Sequence, residues 1–599
     1  MWSNRKYFQS EQVHENLFRI RIVAALGFLL IASRIFLISV LESRHYLKMS
    51  EDNSVELFDI PAPRGIIYDC MDRVIVDNRM SFSILFSPIN LTPQAAEKTY
   101  AKLAGIFDKK PGAGENIMGN LRIEDDVSLE KIFYLREQKH NLPGMHLQTY
   151  PRRHYPYGDF AAHLLGYLSE ISKAEMKKDV FSGYRQGDII GKTGIEKLFD
   201  YELRGVDGSE QIEVDVEGKP VKMLLENPSR MGNNLFLSIN NDIQDVCEKA
   251  MEGKKGAVCV LDPKSGRVIA LASSPGFDPN LFSTRTGEQG YRNLMDDEAL
   301  PLFNRAIQCE QSPGSTFKII TTVAALESGA IDEKTKFTCR GGFYLGKGSR
   351  VREFKCWEAK GHGENDIIGA IAHSCDVFFY QAGLKAGVQN MAKYSVEFGL
   401  SEKSGIDLPS ERAGLIPTPE WKSARRHEYW YPGDTVNMSI GQGYVLVTPV
   451  QMANLMCMVA NRGVIYKPFF IRKIETGDGK ILKTYEPKII KKVTLNPRTW
   501  ELLQKGLRSA VTEGTCRVVD FRELSVAAKT GTAQNPHGID HAWFVCYAPF
   551  ENPQVSIAVF IEHGGHGASS AAPVARKVLE KYFHLEKREP YIETFVAGD

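Results

Sequence analysis

Ser315 stands directly after Pro313-Gly314, and Lys318 follows three residues on, at the head of an apolar run from Phe317 to Leu326 that ends before Gly329. The pattern predicts a helix apolar nearly all round, hence buried, with its free N–H groups at the serine end. Three residues of spacing put the two side chains on one face. A lysine partly desolvated there can lose its proton and act as base toward the serine hydroxyl, while the helix N-terminus stabilises an oxyanion. Ser-x-x-Lys alone equally describes an N-capping serine beside an unrelated surface lysine, so the reading needs partners.

Two partners follow in order: Ser374-Cys375-Asp376, then Lys529-Thr530-Gly531-Thr532 on a predicted strand. Ser-x-x-Lys, Ser-x-Asn/Asp and Lys-Thr-Gly in this order form a set used by acyl-transferring serine enzymes. Gly531 would let a substrate backbone lie along the strand edge, and Lys529 with the Thr530 and Thr532 hydroxyls suits a substrate carboxylate. The Thr532 N–H would complete an oxyanion hole with that of Ser315. Ser374 would relay a proton and Asp376 would hold Lys318, the plain alternative being a helix cap at Ser374.

Between the first two motifs lie Cys339, Cys356, His362 and Cys375, spaced C-x16-C-x5-H-x12-C. Three thiolates and an imidazole make a closed tetrahedral site for a structural zinc ion, with Glu353 and His373 in reserve. A Cys339–Cys356 disulfide or three buried free thiols would account for the same residues. Ten cysteines in 599 residues, with no C-x-x-C pair, are too few for a disulfide scaffold, and Cys259, Cys457 and Cys546 read as core packing.

The elements that must position these groups are legible in outline. Gly256–Asp262 and Arg267–Ala272 flank an Asp262–Gly266 turn as a hairpin, and three late runs, SVAAKTGTAQ, AWFVCYAP and QVSIAVFIE, read as strands. Together they predict a five-stranded antiparallel sheet between helices, closed by an amphipathic helix over Ser569–Phe583. Nearer the start, Asp59–Asn78 reads as a strand pair, a helix-rich stretch runs to about Gln148, and Glu210–Glu217 alternates as a strand. Gly191-Lys192-Thr193 lacks the upstream glycine of a phosphate loop, because position 186 is Gln, and reads as a turn.

Ile22–Leu41 is apolar apart from Arg34 and long enough to cross a bilayer, with no small-residue cleavage site before Glu42. Arg5, Lys6, Arg19 and Arg21 outnumber Glu11 and Glu15 ahead of it, which by the positive-inside rule leaves the N-terminus cytoplasmic and the rest outside. Lys and Arg total 74 against 73 Asp and Glu, a net charge of +1 that gives no reason to expect a nucleic-acid partner.

The motif set is similar to that of the class B penicillin-binding proteins, and the similarity extends over APRGIIYD after the anchor, AAHLLGY, GKTGIEKLFDYELRG, VLDPKSGRVIALASSPGFDPN, NRAIQCEQSPGSTFK and WYPGDTVNMSIGQGYVLVTPVQMAN. Asp at the third position of Ser-Cys-Asp resembles the elongation-specific branch. The resemblance implies an α+β chain: residues 1–18 cytoplasmic, 19–42 a transmembrane anchor, 43–235 an elongated mixed α/β pedestal of the dimerisation type, 236–586 the transpeptidase domain and 587–599 a loose tail. It implies a periplasm-facing D,D-transpeptidase at the inner membrane, in which Ser315 attacks the D-Ala-D-Ala bond of a peptidoglycan stem peptide and an amine of a neighbouring stem completes the cross-link. β-Lactams would acylate the same serine, and zinc near the cleft occurs in some relatives. Implied partners are a SEDS-family glycosyltransferase and rod-complex scaffold proteins. A D,D-carboxypeptidase or β-lactamase-type hydrolase uses the same acyl-enzyme, and a non-catalytic sensor or scaffold is the third reading. One departure is Cys70-Met71-Asp72, where relatives usually carry Arg-Asn-Gly, which puts the geometry of that turn in question.

Overall fold

The computed structural model describes residues 3–44, 55–88, 91–107, 121–124, 126–185, 187–214, 220–283, 287–348, 351–536 and 538–585. The expected tail, 587–599, lies outside them. The chain forms two compact units interleaved in sequence: residues 1–62, 81–150 and 206–230 make one, and 63–80, 151–205 and 231–599 the other. Residues 63–80 and 151–205, which the sequence reading places in the module 43–235, therefore belong to the second unit.

In the first unit, helix α1 (Ser3–Phe36) is followed by a π-turn, Leu37–Leu41. Its apolar stretch Asn16–Leu41 covers 26 residues with almost nothing buried. At about 1.5 Å per residue this exceeds the roughly 30 Å of a hydrocarbon core. A three-stranded antiparallel sheet joins Val55–Ile60, Gly208–Val214 and Pro220–Asn227, and the expected strand from Glu210 is described as far as Val214. Helices Pro93–Ile106 and Leu129–Glu137 start on capping hydroxyls of Thr92 and Ser128 and bury Leu103, Ile132 and Leu135 beside Ile84 and Phe86.

In the second unit the strand pair expected after Asp59 is present as Ile67–Tyr68 against Val74–Val76. The Cys70–Asp72 turn is regular. The Asp69 carboxylate accepts the N–H groups of Met71 and Arg73, and Asp72 takes the left-handed conformation, φ 60°, that glycine would otherwise fill. Gly191-Lys192-Thr193 is a strand end, with the Lys192 ammonium 2.6 Å from Glu175 and no phosphate cradle.

The five-stranded sheet of the second unit is as expected. Its strands are β1 (Gly256–Leu261), β2 (Val268–Ser274), β3 (Ala527–Ala533), β4 (His541–Ala548) and β5 (Val555–Ile561), in the antiparallel order β2-β1-β5-β4-β3. Both faces are covered, so side chains of either parity are apolar. Val258, Val260, Phe544 and Cys546 meet α2 (Asn241–Met251) and the closing helix, which extends from Ala572 to Tyr582. Ala257, Cys259, Trp543 and Phe560 face the other layer, built from α3 (Lys318–Glu327), α4 (Asp376–Glu397), α5 (Pro432–Ser439), α6 (Pro449–Ala460) and α7 (Pro497–Thr512). Each fully buried aromatic or aliphatic side chain here contributes about 1.5–3 kcal/mol. Helix α6 is apolar and wholly buried, fixed at its start by a reciprocal pair in which Thr448 Oγ1 accepts the Gln451 N–H and Gln451 Oε1 accepts the Thr448 N–H. All ten cysteines are free thiols, with Cys259, Cys457 and Cys546 in the core as expected.

Candidate active site

Ser315 is half-buried on a 3-10 turn, Gly314–Phe317, that runs directly into α3. The helix is buried along its length and ends at Gly329 in the left-handed conformation, so the serine is held at the tip of a rigid rod. Gly314, φ 53°, lies against β3: a Cβ there would come 2.4 Å from the Thr532 carbonyl oxygen. Its N–H donates to the Gly441 carbonyl at 3.0 Å, so the nucleophile turn is clamped between β3 and the loop after α5.

The three motifs converge. Lys318 is 1% exposed, and its Nζ is within hydrogen-bond distance of the Ser374 carbonyl (2.7 Å), Ser374 Oγ (3.1 Å) and Asp376 Oδ1 (2.6 Å). The neutral amine supplies two N–H groups and a lone pair to these contacts, and the lone pair is what a proton from Ser315 would take. Ser374 is not a helix cap: it sits between two helices with φ 53°, and Cys375 precedes α4 instead.

Lys529 is fully buried in the edge strand β3, and its Nζ reaches the Thr530 carbonyl at 3.2 Å. Burial first, and the nearby charge of Lys318 second, lower its amine to about 7. Thr530 Oγ1 donates to Thr515 Oγ1. A Cβ on Gly531 would meet the Pro313 carbonyl oxygen at 2.7 Å and Thr316 Cγ2 at 2.9 Å, so its missing side chain makes room for the nucleophile turn.

Two residues outside the motifs complete the arrangement. Trp357 N–H donates to Asp376 Oδ2 (3.0 Å) and its indole Nε1 to the Ser374 carbonyl (3.1 Å), which locks the Ser-Cys-Asp turn. The one signal for it in sequence is its place next to Cys356. Gln442 Nε2 donates to the Thr532 carbonyl at 3.4 Å, a contact over 90 residues that no local pattern announces.

Cys339, Cys356, His362 and Cys375 come together, their ligand atoms within 4.8 Å of one another. Cys339 ends the strand Phe337–Cys339, paired with Gly363–Asn365, and Cys356 ends the hairpin Gly342–Leu345/Arg352–Lys355. The donor set fits a metal. Cys356 Sγ lies 3.5 Å from His362 Nδ1, and a hydrogen bond from the Cys375 thiol holds the Cys356 thiol far below its usual range. His362 Nε2 is buried with no partner among the described residues. The reserve candidates stay outside: Glu353 accepts from the exposed Tyr344 hydroxyl, and His373 stacks on His362.

Residues 256–580 match the family model of the penicillin binding protein transpeptidase domain, and residues 59–237 that of the penicillin-binding protein dimerisation domain. The chain thus belongs to the penicillin-binding proteins that join a dimerisation module to a transpeptidase. Among curated relatives it is 32% identical to the peptidoglycan D,D-transpeptidase MrdA of Haemophilus influenzae, over 98% of this chain and 95% of that one. Its fold is similar to that of penicillin-binding protein PBP2 of Helicobacter pylori, solved in complex with MreC, with TM-score 0.76, 27% identity, and 89% of this chain and 99% of that one covered. It is also similar to a chain solved in a study of polymerization and crosslinking by a peptidoglycan synthase complex, with TM-score 0.71, 30% identity, and 96% of this chain and 99% of that one covered.

Proposed function

We propose that this chain is a serine D,D-transpeptidase of peptidoglycan that works in cell-wall elongation. The observation that carries the residue roles is Lys318 Nζ, one turn after Ser315, bridging Ser374 and Asp376 beside the end of β3. The D-Ala-D-Ala end of a stem peptide lies along the free edge of β3, its carboxylate toward Lys529, Thr530 and Thr532. Ser315 Oγ attacks the carbonyl carbon as its proton passes to the Lys318 amine, and the oxyanion forms between the N–H groups of Ser315 and Thr532. The C–N bond then breaks, the proton travels from Lys318 through Ser374 Oγ to the departing D-alanine amine, and an acyl-enzyme remains. An amine of a second stem reverses these steps and forms the cross-link.

Cys339, Cys356, His362 and Cys375 hold a structural zinc ion in this reading, and the ion supplies rigidity rather than chemistry. Cys375 lies between Ser374 and Asp376, and Trp357 follows Cys356, so anchoring the thiolates holds both partners of Lys318. Residues 236–586 are the catalytic region, and the parts of 43–235 outside 63–80 and 151–205 are the membrane-proximal module. Asn16–Leu41 anchors the chain once in the inner membrane with the catalytic region in the periplasm. The MreC complex of the Helicobacter pylori protein and the synthase complex support a rod-complex scaffold and a glycan polymerase as partners.

Covalent labelling by a fluorescent penicillin tests the site. Ser315→Ala abolishes labelling while the protein stays folded, and labelling that persisted would remove Ser315 from the mechanism.

A further inference from the structure

The segment Glu513–Cys516, which follows α7, touches two of the three motifs and belongs to neither. Helix α7 packs against both the helix Ile367–Ala372 and β3. Gly506 of α7 has no room for a side chain, since a Cβ there would come 2.6 Å from Ile371 Cδ1, and Arg508 donates to the Val526 carbonyl at 3.0 Å, one residue before β3 begins. The turn after the helix is held as closely. A Cβ on Gly514 would lie 2.1 Å from the Ala372 carbonyl oxygen, the Thr515 N–H donates to that same oxygen (3.1 Å), and the Cys516 N–H donates to the Ala510 carbonyl (2.7 Å). Cys516 is fully buried, so the backbone of Thr515 is pinned against Ala372, two residues ahead of Ser374.

The Thr515 side chain reaches the other motif. Its Oγ1 accepts the Thr530 hydroxyl at 3.0 Å, with Thr515 half-buried and Thr530 buried. A hydroxyl has one proton to donate and two lone pairs to accept with. In this arrangement Thr530 gives its only proton to Thr515 and has none for a substrate carboxylate. Rotating both hydroxyls reverses the bond: Thr515 donates to Thr530 Oγ1, and the Thr530 proton turns to the carboxylate. A hydroxyl chain that ends on an anion is strengthened along its length, because each bond polarises the next.

We infer that Thr515 is a positioning residue for the carboxylate site: with an anion bound it donates to Thr530 Oγ1 and thereby directs the Thr530 hydroxyl at that anion. The assignment adds a residue outside the three motifs and rests on the transpeptidase reading above. Because the Thr515 N–H is tied to Ala372, the same residue keeps the Thr530 hydroxyl in place relative to the segment that carries Ser374 and Asp376.

Second-order acylation of the full chain in detergent by benzylpenicillin and by its methyl ester, read as loss of later labelling by a fluorescent penicillin, tests this role. The ester presents the same ring without the carboxylate. Thr515→Val keeps the shape and removes the hydroxyl. It is expected to slow acylation by the free acid roughly tenfold, the size of one lost charge-assisted hydrogen bond, while acylation by the ester changes by less than about twofold. Thr515→Ser returns a hydroxyl to the same place and restores most of the rate. In a Thr530→Val background, Thr515→Val adds no further loss, because no hydroxyl is left to direct. Thr515→Ala, which occupies no new space, takes the place of the valine variant if that protein does not fold. An unchanged rate for the free acid, equal losses for acid and ester, or additive losses in the double variant overturns the inference and leaves the acyl-enzyme mechanism standing. Absence of penicillin labelling in the unaltered chain strikes that mechanism itself, and the inference with it.

Discussion

Lys529 is the group through which pH should reach the site. Its folded-state value is depressed to about 7 by burial and by Lys318, so the ammonium that pairs with a substrate carboxylate predominates below that value and is lost above it. A penicillin carboxylate stays ionised across this range. The second-order acylation rate constant should therefore decline above about 7, approaching tenfold per pH unit. A penicillin methyl ester, which has no carboxylate to pair, should show no such limb. A flat profile for the free acid would mean that Lys529 does not act through its charge. Residue identities and order were enough to nominate Ser315, Lys318, Ser374, Asp376 and Lys529, because each chemistry needs a particular side chain. Trp357 and Gln442 escaped, since an indole and an amide are common and their use here depends on partners 19 and 90 positions away.

At the scale of elements, short pieces do the positioning: a one-turn 3-10 segment, a three-residue junction between helices, and two small two-stranded ladders. They bury little surface of their own, so their order depends on cross-links. In the hairpin that ends at Cys356, the cross-link is the proposed zinc. Protein purified without chelator should carry about one zinc per chain by elemental analysis. Stripping the metal, or Cys356→Ser, should lower Tm by several degrees and slow penicillin acylation together, because Trp357 loses its hold on Asp376. Zinc near zero in folded, labelling-competent protein would leave the four residues as a thiol–imidazole cluster. The strands of the sheet were readable from runs such as GAVCVL and VSIAVFI, whose residues are apolar at both parities because both faces are covered. The reason for Gly531 was not readable: a glycine in a strand states that something approaches closely, and only the packing says that it is the Pro313–Thr316 turn.

On the scale of the whole molecule, the chain joins one exposed apolar helix to two interleaved units with separate cores. The active-site groups all lie in the second unit, whose sheet closes β1 and β2 onto strands nearly 300 residues later. Removing residues 1–44 should give a protein that stays in solution without detergent and still labels with penicillin at Ser315. Loss of labelling in the folded fragment would make the helix part of the catalytic machinery. An apolar run of bilayer length is a local property, and so the anchor is visible at once in sequence.

The amino-acid sequence by itself pointed to the chemistry and the elements: which side chains have the reactivity to act, which runs form the sheet, and which helix is long and apolar enough to cross a membrane. These follow from composition over a few residues and from periodicities of 2 and 3.6. Tertiary structure decided which unit residues 63–80 and 151–205 join, that Cys339, Cys356, His362 and Cys375 meet, and that Gln442 reaches the Thr532 carbonyl. Each of those is a contact between segments far apart in the chain, made when buried surfaces are matched in shape, and no local pattern encodes it.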